Sequence, residues 1–285
     1  MNKFNNIAIY TSNKNESVKA IVLQTKEILE NLNSRVFLSR SSSLTLPKEI
    51  KDFSDNYVVK KADLVISVGG DGTMLSCARK FGSKGLPMLG INLGNIGFLA
   101  DIPPEDLTAS LKEILKGKYT SDKRSFIQTK LNNEKKHHVA LNEAVIHSGA
   151  VAQMIEYELL INDVFIYRQR ADGLIIASST GSTGYSLSGN GPIMDPKLRA
   201  LILLPMFPHS LNARPLIVNE EASITVKIKS NRSAKLSLDS HNYLNLKKDD
   251  EIMISSTPYQ LNLIHPVNHD FYDACRTKLG WSLGF

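Results

Sequence analysis

Between Asn6 and Lys116 the chain alternates short apolar runs with segments of helical apolar spacing, and from about Asp122 onward strand-like runs follow one another directly. That change of pattern constrains the fold more than any other feature. Strand–helix alternation implies a parallel sheet covered by helices, because parallel neighbours need a crossover connection. Strand after strand implies antiparallel pairing through short turns. In the first part, Asn6–Tyr10, Arg35–Leu38, Leu64–Val68 and Pro87–Asn92 read as strands. Ser17–Leu32 is helical, with Val18, Ile21, Val22, Ile28, Leu29 and Leu32 on one face. Met74–Arg79 reads as a helix start, and Pro104–Lys116 as a helix with proline at its entry and Gly117 at its exit. In the second part, His138–His147, Ile155–Ile161, Phe165–Arg168, Leu174–Ala177, Ser223–Lys229, Lys235–Leu238, Glu251–Ser255 and Tyr259–Ile264 read as strands, with Asn162-Asp163 as a hairpin turn. The expected architecture is an α/β domain over 1–121, an antiparallel, sandwich-like β domain over 122–265, and a helical, aromatic tail over 266–285 that packs back on the first domain.

The junction of strand Leu64–Val68 with the helix after it carries Gly69-Gly70-Asp71-Gly72-Thr73. A glycine-rich turn at that position lets backbone N–H groups face a phosphate. The single carboxylate would repel that phosphate unless it has a use, either holding a metal or taking a proton from an attacking hydroxyl. As a plain turn, the same residues need mean no more than a local cap. No G-x-x-x-x-G-K-[ST] and no G-x-G-x-x-G after the first strand is present, so neither a P-loop nor an ordinary dehydrogenase fingerprint is supported.

Three other segments stand out. Eleven of the fourteen residues from Ser178 to Gly191 are Ser, Thr or Gly. Such composition suits a flexible linker, but it follows a strong strand, contains Tyr185 and Leu187, and ends at Gly191-Pro192. Those features favour a rigid loop rich in hydroxyls and free N–H groups, suited to a polyhydroxylated, phosphorylated ligand. Asn142-Glu143 interrupts an apolar strand and is either solvated or aimed at a ligand's hydroxyls, since burial without partners is costly. Arg170-Ala171-Asp172-Gly173 is either a surface ion pair or two ligand-facing groups at a loop mouth. His137-His138 reads as solvated, His147 and His209 show no ligand spacing, and Trp281 reads as a packing residue.

Bulk composition narrows the function classes. The formal net charge of +6 suits anionic ligands such as nucleotides, but Lys and Arg are scattered and no aromatic-basic array suggests nucleic acid. No apolar run approaches the ~20 residues of a membrane helix. The N-terminus has no apolar signal region, and the two cysteines, Cys77 and Cys275, form no C-x-x-C pair. A reduced cytoplasmic protein, neither membrane-bound nor nucleic-acid-binding, is the expectation.

Taken together and in order, these segments resemble the NAD kinase family. The resemblance runs from Gly69–Thr73 through Asn92–Leu99, Leu141–Glu143, Arg170–Ile176, Thr180–Ser188 and Pro208–Pro215 to Lys278–Trp281. The first motif is shared with phosphofructokinases and diacylglycerol-type lipid kinases; the order of the whole set is specific. The resemblance implies a phosphofructokinase-like, Rossmann-like α/β domain followed by a β domain. It implies transfer of the γ-phosphoryl of ATP, or of polyphosphate, to the 2′-hydroxyl of the adenosine ribose of NAD, giving NADP. It also implies a divalent cation, Mg²⁺, with no protein metal ligands assigned, and a homo-oligomer, a tetramer or dimer.

On the family's pattern Asp71 is the general base, and Gly69, Gly70 and Gly72 leave the backbone open to phosphate. Asn142 and Glu143 hold the adenosine ribose or adenine. Arg170 and Asp172 contact the nicotinamide half or a neighbouring subunit's ligand. Thr183, Gly184, Tyr185, Ser186, Leu187 and Ser188 wrap the nucleotide. The chain departs from the pattern at Ser179, where Pro is common, at Gly184, where Ala is common, at Gln153, where a basic residue is common, and at His241, where Gln is common. These departures bear on fine nucleotide contacts, including a preference for NADH, and leave Asp71 untouched. Two other readings share parts of the pattern: a lipid or sugar kinase with the same Asp-Gly-Thr turn, and a non-catalytic NADP(H) sensor.

Overall fold

The computed structural model describes residues 2–40, 42, 51–94, 97–132, 134–149, 153–231 and 234–281. The chain divides into two compact units, 1–123 together with 261–285, and 124–260. In chain order the first unit holds β1 (Asn6–Tyr10), α1 (Glu16–Asn31), β2 (Arg35–Ser39), β3 (Asp52–Phe53), α2 (Asp55–Lys61), β4 (Leu64–Gly69), α3 (Asp71–Lys80), β5 (Met88–Asn92) and α4 (Leu107–Leu115). There follow β6 (Thr120–Leu131), β7 (His138–Ala140), β8 (Glu143–His147), β9 (Ile155–Ile161), β10 (Val164–Ala171), β11 (Gly173–Ser178), the short helix α5 (Tyr185–Ser188), β12 (Ala200–Met206), β13 (Leu216–Asn219), β14 (Ile224–Ile228), β15 (Ala234–Leu238), β16 (His241–Leu246), β17 (Glu251–His265) and α6 (Phe271–Leu279).

In the first unit the strands lie in the order β3-β2-β1-β4-β5, all parallel. The last residues of β17 add a further parallel strand, with Leu263 opposite Met88 and Ile264 opposite Leu89. Strand β4 is buried along its whole length, as a central parallel strand must be. Helix α1 buries Val18, Val22, Thr25 and Leu29, one stripe at helical spacing, and these apolar residues join Leu107, Leu111 and Ile114 of α4 over the sheet. The order reverses direction at β1, with β2 on one side and β4 on the other. Loops leaving the carboxyl ends of β1 and β4 therefore flank a topological switch point, where open α/β sheets take their ligands.

The turn after β4 differs from the sequence expectation in one respect. Helix α3 begins at Asp71, not at Met74, with Gly70 as its N-cap. The amides of Thr73 and Met74 already donate to the Gly70 carbonyl. Glycine disfavours helix interiors, but the first turn tolerates it because its N–H groups have no intrahelical partner anyway. Ser12 Oγ lies 2.9 Å from Thr73 Oγ1 and Tyr10 Oη lies 2.8 Å from Ser76 Oγ, which ties α3 to the end of β1.

The second unit is built from antiparallel strands. One sheet runs β10-β9-β14-β17 and the other β13-β12-β11-β8-β15-β16. Tyr157, Leu159, Val226 and Ile252 of the first share one core with Ile146, Leu174, Ile176, Leu203 and Leu236 of the second. This is a sandwich, with inward positions alternating along each strand. Asn162 and Asp163 sit at φ 50° and 62°, a turn whose twist matches the strands it joins.

Several elements went unread in the sequence. Strand β12 contains Pro205, which weakens a strand reading; the proline lies beyond Leu203, the last residue paired with β13, where that side of the ladder needs no N–H. The run His138–His147 is two strands, β7 and β8, interrupted at Leu141-Asn142. Glu251–Ser255 and Tyr259–Ile264 are one strand, β17. Because β17 leaves the second unit and ends in the first, the contact-defined second unit is 124–260, where the sequence reading drew 122–265. Helix α6 is capped by Asp270, which accepts from the Tyr272 amide, and ends at Gly280 with φ 67°. Trp281, expected to pack, is 58% exposed just beyond that cap.

The turn before α6 is fixed by a buried cluster. Asp101 Oδ2 accepts from His265 Nδ1 at 2.9 Å and from His269 Nδ1 at 2.8 Å, and the two imidazoles stack with centroids 3.8 Å apart. Burial pushes the Asp101 carboxyl up, but the two histidine hydrogen bonds outweigh it and the net shift is downward. A carboxylate depressed in the folded state stabilises above its unfolded pKa and loses that contribution as pH falls through the folded one. Asp101→Asn should therefore cost about 1–3 kcal/mol at neutral pH. In denaturant titrations the gap from wild type should close below about pH 4.

Candidate active site

Two clusters of polar groups stand out, one in each unit. In the first unit the Asp71 side chain points out of the first turn of α3. Its Oδ2 accepts the Phe98 amide at 2.9 Å, and its Oδ1 accepts those of Leu99 at 3.1 Å and Ala100 at 3.3 Å. Lys278 Nζ of α6 approaches Oδ2 at 3.4 Å and lies over the Phe98 ring, 4.5 Å from its centroid. The side chain nonetheless keeps 29% of its surface exposed, so the carboxylate remains within reach of a ligand. A Cβ on Gly97 would collide with Asp71 Oδ1; glycine there allows the close approach.

The three glycines of the turn have different tasks. A Cβ on Gly69 would collide with Thr73 Oγ1, and its φ is 154°, so this glycine is required by the fold. A Cβ on Gly70 or Gly72 would meet nothing within 4 Å. These two leave open space at the N-terminus of a ten-residue helix, where a phosphate is favoured.

In the second unit Asn142 and Glu143 are both buried, which removes the solvated reading of the pair; Glu143 is 3% exposed. Three supports hold them. The Asp239 carboxylate accepts the amides of Leu141 at 3.0 Å, Asn142 at 2.8 Å and Glu143 at 3.3 Å. Ser178 donates its hydroxyl to the Leu141 carbonyl at 2.6 Å and its amide to the Asn142 carbonyl at 2.8 Å. The Thr180–Ser188 segment closes over the pair, with Glu143 Oε2 accepting the Tyr185 amide at 3.3 Å. A Cβ on Gly181 would collide with the Asn142 carbonyl, and one on Gly184 would sit 2.8 Å from both Asn142 Nδ2 and Glu143 Oε2.

That segment is ordered, as its anchors suggest. It forms a 3-10 turn, Thr180–Thr183, and then α5. Ser182 Oγ donates to the Ser179 carbonyl and accepts the Met194 amide. Tyr185 and Ser188 are exposed and Thr183, Gly184 and Leu187 half-buried, but Ser186 is fully buried and faces inward. Ser186 therefore belongs to the packing of the turn and not to its outer face.

Burial, and after it the like charge of Asp239, pushes the Glu143 carboxyl up to about 7, against the lowering effect of the Tyr185 amide. Asn142 Oδ1 is buried without a hydrogen-bond partner. Ser186 Oγ in the turn above is buried without a partner as well, and buried polar atoms left over in this way mark a place for a ligand or a water. A cavity of about 530 Å³ lies elsewhere, in the first unit, lined by α4 and by Pro266, Val267 and Asn268. A second, of about 230 Å³, is lined by Tyr185, His147, Ser237, Ser240 and Tyr243 of the second unit. His147 and Tyr243 meet edge to face at 6.3 Å, and burial with Lys235 pulls the His147 pKa down. Aromatic walls with two hydroxyls suit a flat, hydrogen-bonding ring.

The remaining expected residues lie on the surface. Arg170 is exposed and Asp172 half-buried; they form no ion pair with each other, and the Arg170 carbonyl accepts the His209 amide. Gln153 is exposed, and His241 Nδ1 meets the Asp239 carbonyl at 2.7 Å. Asn95 and Ile96 of the Asn92–Leu99 stretch lie outside the described residues. Among the described residues the one group with metal-ligand character is Asp101, His265 and His269. Its two rings stack within 11° of parallel, and both Nδ1 nitrogens are engaged by the same Asp101 oxygen, so the cluster is described by its hydrogen bonds. Sequence reasoning did not assign Asp239 or Lys278 a role. Asp239 sat within the Leu238–His241 departure, and Lys278 within the terminal motif, but neither spacing shows what it touches.

Comparison with known proteins covers both units. Residues 7–119 match the model of the ATP-NAD kinase N-terminal domain, and residues 141–266 that of the ATP-NAD kinase C-terminal domain. The chain is 45% identical over 239 residues to an NAD kinase of Saccharophagus degradans, covering 82% of this chain and 81% of the relative. It is 39% identical over 288 residues to an NAD kinase of Teredinibacter turnerae, covering 99% and 98%. Among solved structures, an NAD kinase from Archaeoglobus fulgidus in complex with ATP superposes with a TM-score of 0.73 at 27% identity, over 96% of this chain and 97% of that one. Yeast NADH kinase complexed with NADH superposes with a TM-score of 0.86, over 98% of this chain and 88% of that one; at 24% identity this likeness speaks for the fold.

The glycine contacts generate a contrast that unfolding can read. Gly181→Ala should lower the unfolding midpoint by about 4 to 10 °C, because the added carbon meets backbone that has nowhere to move. Gly72→Ala, inside a helix and in open space, should leave the midpoint unchanged or raise it.

Proposed function

The chain belongs to the NAD kinase family, and we propose that it transfers the γ-phosphoryl of ATP to the 2′-hydroxyl of the adenosine ribose of NAD, giving NADP and ADP. The observation that carries this reading is the buried Asn142-Glu143 pair, roofed by Thr180–Ser188, with hydrogen-bonding capacity left over. An amide and a carboxyl, both desolvated and fixed, suit the vicinal hydroxyls of a ribose. The aromatic cavity at Tyr185 suits one of the nucleotide's rings. Thr183, Leu187 and Ser188 are at least partly exposed on the same turn, and Gly184 faces the pair. Arg170 and Asp172 serve the nicotinamide half or the ligand of a neighbouring copy, and Gln153 and His241 tune the choice between NAD and NADH.

Asp71 is the general base. In the reaction a bond forms between the 2′-oxygen and the γ-phosphorus, the bond from that phosphorus to the β,γ-bridging oxygen breaks, and the 2′-hydroxyl proton leaves. A loose phosphoryl-transfer transition state asks for positioning and charge more than for strong basicity. A carboxylate fixed by three amides offers position. Gly70 and Gly72 leave the α3 N-terminus open to phosphate oxygens, and Lys278 brings a cation to the same turn.

Mg²⁺ fits as a partner of ATP rather than of a protein cage. Both Asp71 oxygens already accept amides, and the Asp101 cluster offers two nitrogens where Mg²⁺ prefers oxygens. The ion's contribution, when bound, is to neutralise phosphate charge. The two free cysteines, Cys77 and Cys275, are both buried, and no helix among the described residues is long and apolar enough to cross a membrane. Together with the nucleotide substrates, the thiols favour the cytoplasm.

Incubation with NAD, ATP and Mg²⁺ should yield NADP, with polyphosphate assayed beside ATP as donor. Tight NADP binding without turnover on either donor would support a sensor, and phosphorylation of diacylglycerol or fructose 6-phosphate without NADP formation would support a different kinase. Asp71→Asn should keep NAD affinity within about threefold while turnover falls about 10²–10⁴-fold; unchanged turnover would remove Asp71 from the base role.

A homo-oligomer, a tetramer or dimer, is supported by the outer strand of the second unit. Among the described residues β10 pairs only with β9, and it exposes Val164, Phe165 at 57% and Ile166. An exposed apolar strand at a sheet edge needs cover. Phe165→Glu should shift the mass measured by light scattering toward the monomer.

A further inference from the structure

We propose that Asp239 is a positioning residue for the Asn142-Glu143 pair, holding the peptide 141–143 and deciding by its charge which way the hydrogen bond between Glu143 and the nucleotide runs; this rests on the nucleotide-binding reading above. The geometry is specific. Asp239 is 1% exposed and lies at φ 46° in the tight turn between β15 and β16. Its carboxylate accepts three successive amides, those of Leu141, Asn142 and Glu143, and its own amide donates back to the Glu143 carbonyl at 3.0 Å. This is where the strand run breaks between β7 and β8. Without that acceptor, three amides would be buried unpaired, and the segment would be free to continue as a plain strand with Asn142 and Glu143 on opposite faces.

The charge has a second consequence. The groups around Glu143 come from three directions. Strand β11 brings Ala177 and Ser178, the Thr180–Ser188 turn brings the Tyr185 amide, and the β15–β16 turn brings Asp239. Among the described residues the charged group that shifts Glu143 is Asp239, and it repels a second negative charge. Burial and that repulsion hold the Glu143 proton up to about pH 7. Glu143 thus offers a donor as well as an acceptor to a hydroxylated, phosphorylated ligand. Once ionised it would be an acceptor only, and a buried negative charge facing an anion.

The test is the pH dependence of NAD recognition in wild type, Asp239→Asn and Glu143→Gln. In wild type the KM for NAD should rise as pH passes about 7, approaching tenfold per pH unit, with kcat changing much less. Glu143→Gln, which cannot ionise, should show a flat KM over about pH 6 to 8.5. In Asp239→Asn the amide oxygen can still accept the Asn142 and Glu143 amides, but the repelling charge is gone; KM at neutral pH should rise about fivefold and its pH profile should move down by about one unit. An Asp239→Asn profile that superimposes on wild type after a uniform loss would leave Asp239 a purely structural residue and overturn the proposal. Where Asp239→Asn does not fold, Glu143→Gln alone decides, since a Glu143→Gln profile as steep as wild type also overturns it. NADP binding measured by calorimetry at the same pH values runs beside the assay. Wild type that neither binds NADP nor turns over NAD overturns the nucleotide reading itself. Binding that shows the expected pH dependence without turnover supports the inference and overturns only the kinase step.

Discussion

A buried or half-buried carboxylate accepting three successive backbone amides is the interaction on which both polar clusters depend. Asp71 does this for Phe98, Leu99 and Ala100, and Asp239 for Leu141, Asn142 and Glu143. In each unit the acceptor is distant in sequence from the amides it gathers. In each, the gathered peptide is one that regular structure does not satisfy: a loop after β5, and a break between two strands. Hydrogen bonds to a charged acceptor contribute about 1.5–3 kcal/mol each, more than neutral ones, so one side chain can fix a peptide that neither a helix nor a sheet ladder would hold.

Such an interaction needs room, and glycine supplies it. Gly97 stands where any side chain would strike Asp71, and Gly181 and Gly184 stand where one would crowd Asn142 and Glu143. The glycines of the two motifs therefore divide by purpose. Gly69, Gly97 and Gly181 are demanded by atoms already present. Gly70 and Gly72 face open space and are free to serve a ligand.

Much of this could be read from the residues. The α/β unit, the β sandwich and the ordered Thr180–Ser188 turn follow from apolar periodicity and anchored turn residues, and α1 departs from its expected bounds by only one residue at each end. What escaped depends on long-range partners. Strand β12 went unread, and it tolerates Pro205 because its pairing with β13 stops short of that residue, a fact of register rather than of composition. Ser186 looked like its neighbours but turns inward. Asp239 and Lys278 have no local signal at all, because their partners lie 96 to 98 and 207 residues away in the chain.

The two carboxylates share a geometry but not a surrounding, and this separates their chemistry. Asp71 keeps part of its surface open and has Lys278 beside it, so it can meet a hydroxyl while remaining an anion's neighbour. Asp239 is sealed and has Glu143 beside it, so its charge is spent on three amides and on the proton of another acid. Burial, and after it the like charge of Asp239, raise the Glu143 carboxyl. Asp239 accepts three amides, whereas Glu143 accepts a single long one. The amide count thus separates a fully paired support from an acid with hydrogen-bonding capacity to spare.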